Sequence, residues 1–517
     1  MEDSITMSYI HYDTKPNGAV YASVYESYRD GNRVKTRRLE TLGRVVDKEA
    51  GIYKGRGNKL FQYTIENGRN ENPDYFPEEK VVPDQEKLIL DFGDTWFLKK
   101  YISGLPFYKS IVNTLPGEED TLLALLFFRM LTNRKASCHA KPWYEGNYAY
   151  LEFGRADLTS QNISKVLSKL GQEETQRSFL REYLSSIYSN AKEQNGILID
   201  STGVPNATKM EIAQISNHNG DINREVRVVY AIDRNNGMPV YFRYVAGNIV
   251  DVSTLITTVS ELQQYGVSVN QAILDAGYFS EKNAQELLDN SIPFLTRLAP
   301  NKPIFKTASA GKFEDLMSQK YAYRYGERLV FIRKVPEIIG DHQVYVYICI
   351  DEDMYLMQHK KTILRALDDK KAAEETDSEV KQPGAFALLS SEDLPEKDIL
   401  PLYYTRQQVE QIFDISKNYA DLLPIRVQSE ERFAGHLLLC FMATAIFQRI
   451  QKDLLKRRSK KAKALNTESI WDYLRNQKCK VYDSFAIPQE PRKEVNAIYD
   501  IFKIQVPHKI PLSTILV

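Results

Sequence analysis

Gly196-Ile-Leu-Ile-Asp200 is a short apolar run that ends on a carboxylate, and Gln271-Ala-Ile-Leu274 running into Asp275 repeats the arrangement. Apolar runs of this length, bounded by polar residues, predict buried strands. A carboxylate at the end of such a strand is costly unless something positive sits beside it. Val226–Ile232 and Met238–Val245 predict two further strands joined by the turn Arg234-Asn-Asn-Gly237. Asp251–Tyr265 has a helical beat through Val252, Leu255, Ile256, Val259 and Leu262, and a helix at Glu281–Asn290 and a strand at Ile292–Leu298 follow. The order is β-β-β-α-β-α-β, an antiparallel trio followed by crossover units. It predicts an α/β fold, and if the strands that end on Asp200 and Asp275 are neighbours, the two carboxylates point at the same spot.

That element order resembles the ribonuclease-H-like sheet, so 196–299 is expected to be the first part of such a core. Residues 300–400 interrupt it with strands at Tyr321–Tyr325, Arg328–Val335 and Gln343–Ile350, a possible further one at Ala385–Leu389, and an acidic linker over Asp368–Asp398. Residues 401–450 are expected to complete the core with a helix at Tyr403–Tyr419 and a buried one at Gly435–Ile450. Ahead of the core, 1–75 reads as a strand-rich module in which Ala19–Tyr28 and Arg33–Leu42 form a β-hairpin about Asp30-Gly-Asn32. Residues 33–60 carry nine Lys/Arg against three Asp/Glu, a solvated strand face or one that contacts phosphates. Residues 85–190 read as helical, with Glu118–Leu131 apolar and a helix capped at Thr159-Ser160 and stopped at Gly171. Residues 451–517 form a basic carboxy-terminal region, with seven Lys/Arg against one Asp in 452–463.

The chain has 517 residues, 43% hydrophobic and 26% charged, which suits a multi-unit globular protein. Lys+Arg and Asp+Glu are both 68, so bulk charge alone does not hold this protein to nucleic acid, although a local basic surface is compatible with neutrality. The longest apolar runs, Leu122–Phe128 and Leu437–Met442, are far short of the ~20 residues of a membrane span. The first ten residues lack a basic start and an apolar stretch, so no secretory signal is expected. Cys138, Cys349, Cys440 and Cys479 lie far apart with no Cys-x-x-Cys pair, which argues against a disulfide framework or zinc knuckle. The expectation is a soluble, cytoplasmic protein with no membrane partner.

Two or three convergent carboxylates suit a hard divalent cation bound through oxygen. A third acid is expected from a helix packed on the sheet. At 100° per residue, Tyr403, Arg406, Glu410 and Lys417 fall within a stripe of about 60°, with Arg406 to Lys417 spanning ~16 Å. One acid flanked by two cations suits a metal ligand beside groups that hold a phosphodiester backbone. Taken alone, Arg406 and Glu410 read as an i,i+4 surface pair, and each aspartate as a strand-end turn cap.

Together these residues resemble a known family. Tyr403-x2-Arg406-x3-Glu410-x6-Lys417 reproduces the Tyr-Arg-Glu-Lys signature of DDE transposases of bacterial insertion sequences, the insertion-sequence-four-like group. The text around it, Tyr-Tyr-Thr-Arg-Gln-Gln-Val-Glu-Gln-Ile-Phe-Asp-Ile-Ser-Lys417, is similar throughout, as is its continuation through Pro424, Arg426 and Gly435-His436. Asp275-Ala-Gly-Tyr278 and Ile-Leu-Ile-Asp200-Ser-Thr-Gly203 look like the family's second- and first-aspartate motifs, apart from Ala276. The resemblance covers about 196–450, and the amino-terminal hairpin is typical of one branch. It implies that Asp200, Asp275 and Glu410 are a catalytic, metal-binding triad holding two Mg²⁺ or Mn²⁺ ions. It further implies that Tyr403, Arg406 and Lys417 contact the transposon-end DNA, and that the β-rich passage is the family's usual insertion.

The implied function is a DNA transposase that cleaves and joins the ends of a mobile element by two-metal-ion phosphoryl transfer. Its partners would be double-stranded transposon-end and target DNA, with a homodimer in the DNA complex, in the bacterial cytoplasm and on the nucleoid when bound. The alternative is a catalytically inactive DNA-binding relic or repressor, against which the three intact acids argue. A glycosidase would also use paired acids but gives no reason for the Arg406–Glu410–Lys417 stripe, and a hydrolase of RNA–DNA hybrids hardly needs 517 residues. His218 reads as a loop histidine, His436 as a structural one, and Trp96, Trp143 and Trp471 as core. Ser201, Thr202 and Gly203 read as turn residues.

Overall fold

In the computed structural model, residues 7–15, 18–30, 33–55, 59–72, 85–188, 196–206, 208–218, 221–249, 254–368, 383–456, 465 and 467–512 are described. The chain divides into two compact units, 1–85 and 86–517.

The first unit is a six-stranded antiparallel sheet in chain order: β1 (Met7–Thr14), β2 (Val20–Asp30), β3 (Arg33–Asp47), β4 (Ile52–Lys54), β5 (Leu60–Thr64) and β6 (Gly68–Asn70). The expected hairpin is β2 with β3, its tip at 31–32 lying outside the described residues. Alternation puts Ala22, Val24, Leu42, Tyr53 and Phe61 into one small core. Residues 33–39 of β3 are all exposed, and there Arg37 pairs with Glu26 at 2.7 Å and Lys35 with Asp30 at 2.6 Å.

The second unit is mixed α/β. Strand β7 (Leu88–Asp91) precedes a helical region that includes Gly93–Ser103, Glu119–Leu131, Ser160–Gly171 and Glu173–Tyr188. The large sheet is built from β8 (Gly196–Pro205), β9 (Gln214–His218), β10 (Asp221–Asp233), β11 (Pro239–Ala246), β12 (Gln271–Leu274), β13 (Phe294–Leu298), β14 (Ala322–Tyr325), β15 (Arg328–Ile339), β16 (His342–Asp351) and β17 (Ala385–Ser390). Its order is β11-β10-β8-β12-β13-β17-β16-β15-β14, with β9 paired to β10. Strands β8 and β12, the first and fourth of the sequence reading, are parallel neighbours, while β10 and β11 are antiparallel. Strands β14 to β17 continue this same sheet through the β17–β13 pairing. Strands β18 (Lys478–Val481), β19 (Phe485–Pro488) and β20 (Ile510–Pro511) make a four-stranded sheet with β7.

Several elements differ from the sequence reading. Strand β8 does not end at Asp200: it runs on to Pro205 because β10 continues to pair with it. Ser201, Thr202 and Gly203 are therefore strand residues and not a turn. The single helix expected at Tyr403–Tyr419 is two helices, Glu396–Tyr404 and Gln407–Asn418, with Thr405 and Arg406 as the joint. The helix Glu352–Asp368 was not anticipated; residues 369–382 of the acidic linker and 457–463 of the basic run lie outside the described residues. Gly171 is less a stop than a contact: a Cβ there would stand 1.8 Å from the Glu431 carbonyl oxygen, and one on Gly435 would stand 1.9 Å from that of Leu167. The two glycines let Ser160–Gly171 and the long helix Glu430–Lys456 touch backbone to backbone.

Glu430–Lys456 is 27 residues long and, among the described residues, the one helix long and apolar enough to cross a membrane. Its most apolar stretch is 94% buried within the protein, the setting of a core helix. It carries Phe441 against Tyr183, Tyr230 and Phe242, which joins the helical region to the large sheet in one core.

Candidate active site

The register of the sheet brings the two aspartates together. Leu274 at the end of β12 lies beside Ile199 of β8, so the next residues, Asp275 and Asp200, leave the parallel pair at the same edge. Beyond that point β8 is paired only with β10, which opens a notch at the carboxyl end of β12, where open α/β sheets place their ligand sites. Thr296 on β13 donates to the Asp275 carbonyl at 3.2 Å and steadies the loop. The Ser201 N–H donates to Asp200 Oδ1 at 2.8 Å.

The helix Gln407–Asn418 covers the notch. Val409, Ile412, Phe413, Ile415 and Ser416 face inward. The Ser416 hydroxyl is 3.1 Å from that of Tyr230, which stands opposite Asp200 in the β8–β10 register. The other face of the helix carries Glu410 and Lys417, and the joint before it carries Arg406.

Arg406 lies at the centre. Its Nη1 donates to Asp200 Oδ2 at 2.8 Å, and its Nη2 is 3.4 Å from Asp275 Oδ1 and 3.5 Å from Glu410 Oε1. Three acids drawn from positions 200, 275 and 410 thus surround one guanidinium. Their side-chain exposures grade from 13% for Asp200 through 40% for Asp275 to 62% for Glu410, so the site opens on the Asp275–Glu410 side. Burial pushes the Asp200 carboxyl up to about 6, opposed by Arg406 and assisted by Asp275. Among the described residues, no group of three or more His, Cys, Asp or Glu side chains forms a ready-made metal cage. The cation the three acids share is Arg406.

Tyr403, on the preceding helix, is only 5% exposed and lies beside Arg406, so it does not offer an open ring. Lys417 Nζ donates to Thr202 Oγ1 at 2.5 Å, and burial lowers its pKa while Glu225 raises it. Thr202 and Glu225 escaped the sequence reading. Gly203 supplied a signal in retrospect, because any Cβ there would collide with the Glu225 carboxylate, 2.1 Å away.

The far end of the helix is held in part by Arg134, Arg129 and Asp421, which no motif marked, together with Arg426 and His436 of the motif's continuation. Arg134 donates to the Lys417 carbonyl at 3.3 Å, and Arg426 donates to the Arg134 carbonyl at 3.0 Å. Behind them Arg129 pairs with Asp421 at 2.9 Å, both buried. His436 is buried with Nε2 3.3 Å from the Leu422 carbonyl, and burial, with Arg129 and Arg426 nearby, lowers it to about 3. It is a neutral structural histidine. The side chain of His218 lies outside the described residues.

Residues 191–446 match the family model described as a transposase DDE domain. The match supports a DDE transposase. The matched range holds Asp200, Asp275, Tyr403, Arg406, Glu410 and Lys417. No curated relative matches. Among solved structures, a piggyBac transposase synaptic complex with hairpin DNA aligns at 12% identity over 74% of this chain and 75% of that one, with a TM-score of 0.39. A likeness that loose carries no weight.

Proposed function

We propose that this chain is an insertion-sequence transposase of the Tyr-Arg-Glu-Lys group that cleaves the ends of its element and joins them to target DNA. The observation that carries the reading is the convergence of Asp200, Asp275 and Glu410 on a single cation in the notch of the large sheet. The run β11-β10-β8-β12-β13, antiparallel then parallel, supports a ribonuclease-H-like core that continues into strands β14 to β17.

DDE transposases use divalent metal ions, and an all-carboxylate donor set that already gathers about a positive charge fits Mg²⁺ or Mn²⁺. Asp200, Asp275 and Glu410 would hold them. Two such ions supply an activated water or 3′-hydroxyl and charge neutralisation at the leaving oxygen. The protein's own part is positioning. Asp200, fixed by the Ser201 N–H, is the anchored ligand, and Glu410, the most exposed, is the adjustable one. The planar fork of Arg406 matches a phosphodiester bidentately, and Lys417 at Thr202 adds a point charge farther along the same groove. The basic strand face at 33–60 and the basic run at 452–463 supply sequence-independent phosphate contacts. Joining two ends in one reaction calls for a homodimer on DNA, and the expected setting is the bacterial cytoplasm.

The test uses a labelled duplex copied from the DNA that borders the reading frame, with MgCl₂. The wild-type chain should nick it. Asp200→Asn, Asp275→Asn and Glu410→Gln should each bind the duplex in a gel shift and leave it intact. Full cleavage by any of the three would overturn the assignment.

A further inference from the structure

Arg406 occupies the space the acids are expected to share with metal. A carboxylate oxygen bonded to a divalent cation sits about 2.0–2.6 Å from it. The same oxygens lie 2.8–3.5 Å from the guanidinium nitrogens, on the face between the three side chains. A guanidinium has five donors and no acceptor, so it cannot join a coordination shell. It can only compete for the oxygens. Without any cation, three carboxylates from three separate elements would repel one another and splay, the buried Asp200 at greatest cost.

The position of Arg406 in the chain allows it to leave. It is the joint between Glu396–Tyr404 and Gln407–Asn418, and its side chain is 19% exposed beside the more open Asp275 and Glu410. A phosphodiester approaching from that side offers the fork a bidentate partner in place of the carboxylates.

We propose that Arg406 is a resident counter-cation: in the free protein it holds Asp200, Asp275 and Glu410 together and keeps divalent ions out. DNA phosphate draws the guanidinium away and so makes the triad able to bind metal. This rests on the transposase reading above and adds to it an order of events, DNA first and metal second. Arg406 is in this role a positioning residue for the acids and a contact for the backbone in turn.

The experiment measures Mn²⁺ binding to the full-length protein by the electron paramagnetic resonance signal of free Mn²⁺. Wild type, Arg406→Ala, Arg406→Lys and Asp200→Asn are compared, each with and without the duplex copied from the bordering DNA. Removing a charge-assisted contact from each oxygen should tighten Mn²⁺ binding to free Arg406→Ala by roughly tenfold to a hundredfold over wild type. Arg406→Lys, whose ammonium cannot bridge three acids, should fall between them, and it carries the test if the alanine variant does not fold. The duplex should tighten binding to wild type by a similar factor and hardly change it for Arg406→Ala. Equal affinity of free wild type and Arg406→Ala, lost in Asp200→Asn, would overturn the exclusion and leave the transposase reading standing. Weaker binding by Arg406→Ala would also overturn it, leaving Arg406 only an assembler of the acids. No Asp200-dependent binding in any variant would overturn both.

Discussion

Gly435→Ala tests the backbone-to-backbone contact of two helices. The new Cβ would lie 1.9 Å from the Leu167 carbonyl oxygen, 2.8 Å from its carbon and 3.0 Å from the Gly171 nitrogen. Both partners are main chain in a helix, so no side chain can swing aside. Non-bonded heavy atoms settle at about 3.5–4.0 Å, so the two helices must part by roughly 1.5 Å along this contact. Overpacking of that kind costs about 3 kcal/mol. Alanine returns about 1 kcal/mol through its better helix propensity, leaving a net loss of about 2 kcal/mol. For a unit this large, that lowers the melting temperature by roughly 3–5 °C. Thermal melts followed by circular dichroism measure it, with Gly104→Ala as control, because its Cβ would meet only the Tyr101 carbonyl at 3.5 Å. Gly171→Ala should do similar damage, its Cβ facing the Glu431 oxygen at 1.8 Å. The double variant should cost less than the two singles together, since helices already parted accommodate the second methyl. A Gly435→Ala protein that melts at or above the parent temperature would refute the close approach.

Three further outcomes are expected. Asp200 holds its proton more tightly folded than unfolded, so its contribution to stability is full below about 3.8 and is lost as pH rises through about 6. Asp200→Asn should therefore gain about 1–3 kcal/mol over wild type at pH 8 and nothing at pH 4, and urea unfolding that gives the same difference at both would refute this. His436 is depressed to about 3, so its contribution is intact above about 6.5 and falls as pH drops, by up to ~1.4 kcal/mol per pH unit, and His436→Leu should flatten that slope in acid titrations of stability. Arg129→Met removes the buried partner of Asp421 and leaves only the weaker pull of Arg426 and Arg134, which should cost about 3–5 kcal/mol in denaturant melts, with Asp421→Asn in the same chain restoring part of it.

The notch of the candidate site was legible because parallel, doubly covered strands are written as unbroken apolar runs, and Ile197–Ile199 and Ala272–Leu274 are such runs. The turn at Asn235–Gly237 declared itself through residues suited to it, with the Asp233 carboxylate accepting from the Asn235 and Asn236 N–H groups. Strand β9, with the sequence Gln-Ile-Ser-Asn-His, has too little apolar content to register, and β7, β18, β19 and β20 are four residues or fewer. Helical spacing put Arg406, Glu410 and Lys417 on one face, yet the joint at Thr405 was hidden, because both flanking segments keep right-handed helical dihedrals across it. That Arg406 meets Asp200 across 206 positions depends on the docking of helix on sheet, which no local pattern records. The Gly171–Gly435 contact is of the same kind.

Strand β13 is bonded to β12 on one side, over Ala272–Leu274, and to β17 on the other, over Ala387–Ser390. The stretch between Asp275 and Glu410 is therefore no detachable appendage but a load-sharing part of the beam that carries Asp275. Trimming it away would strip Leu295–Leu298 of a partner and leave a raw apolar margin ready to zip onto a neighbouring molecule. Chimaeras that exchange this stretch will have to rebuild the seam along β13 before any other property of theirs can be read.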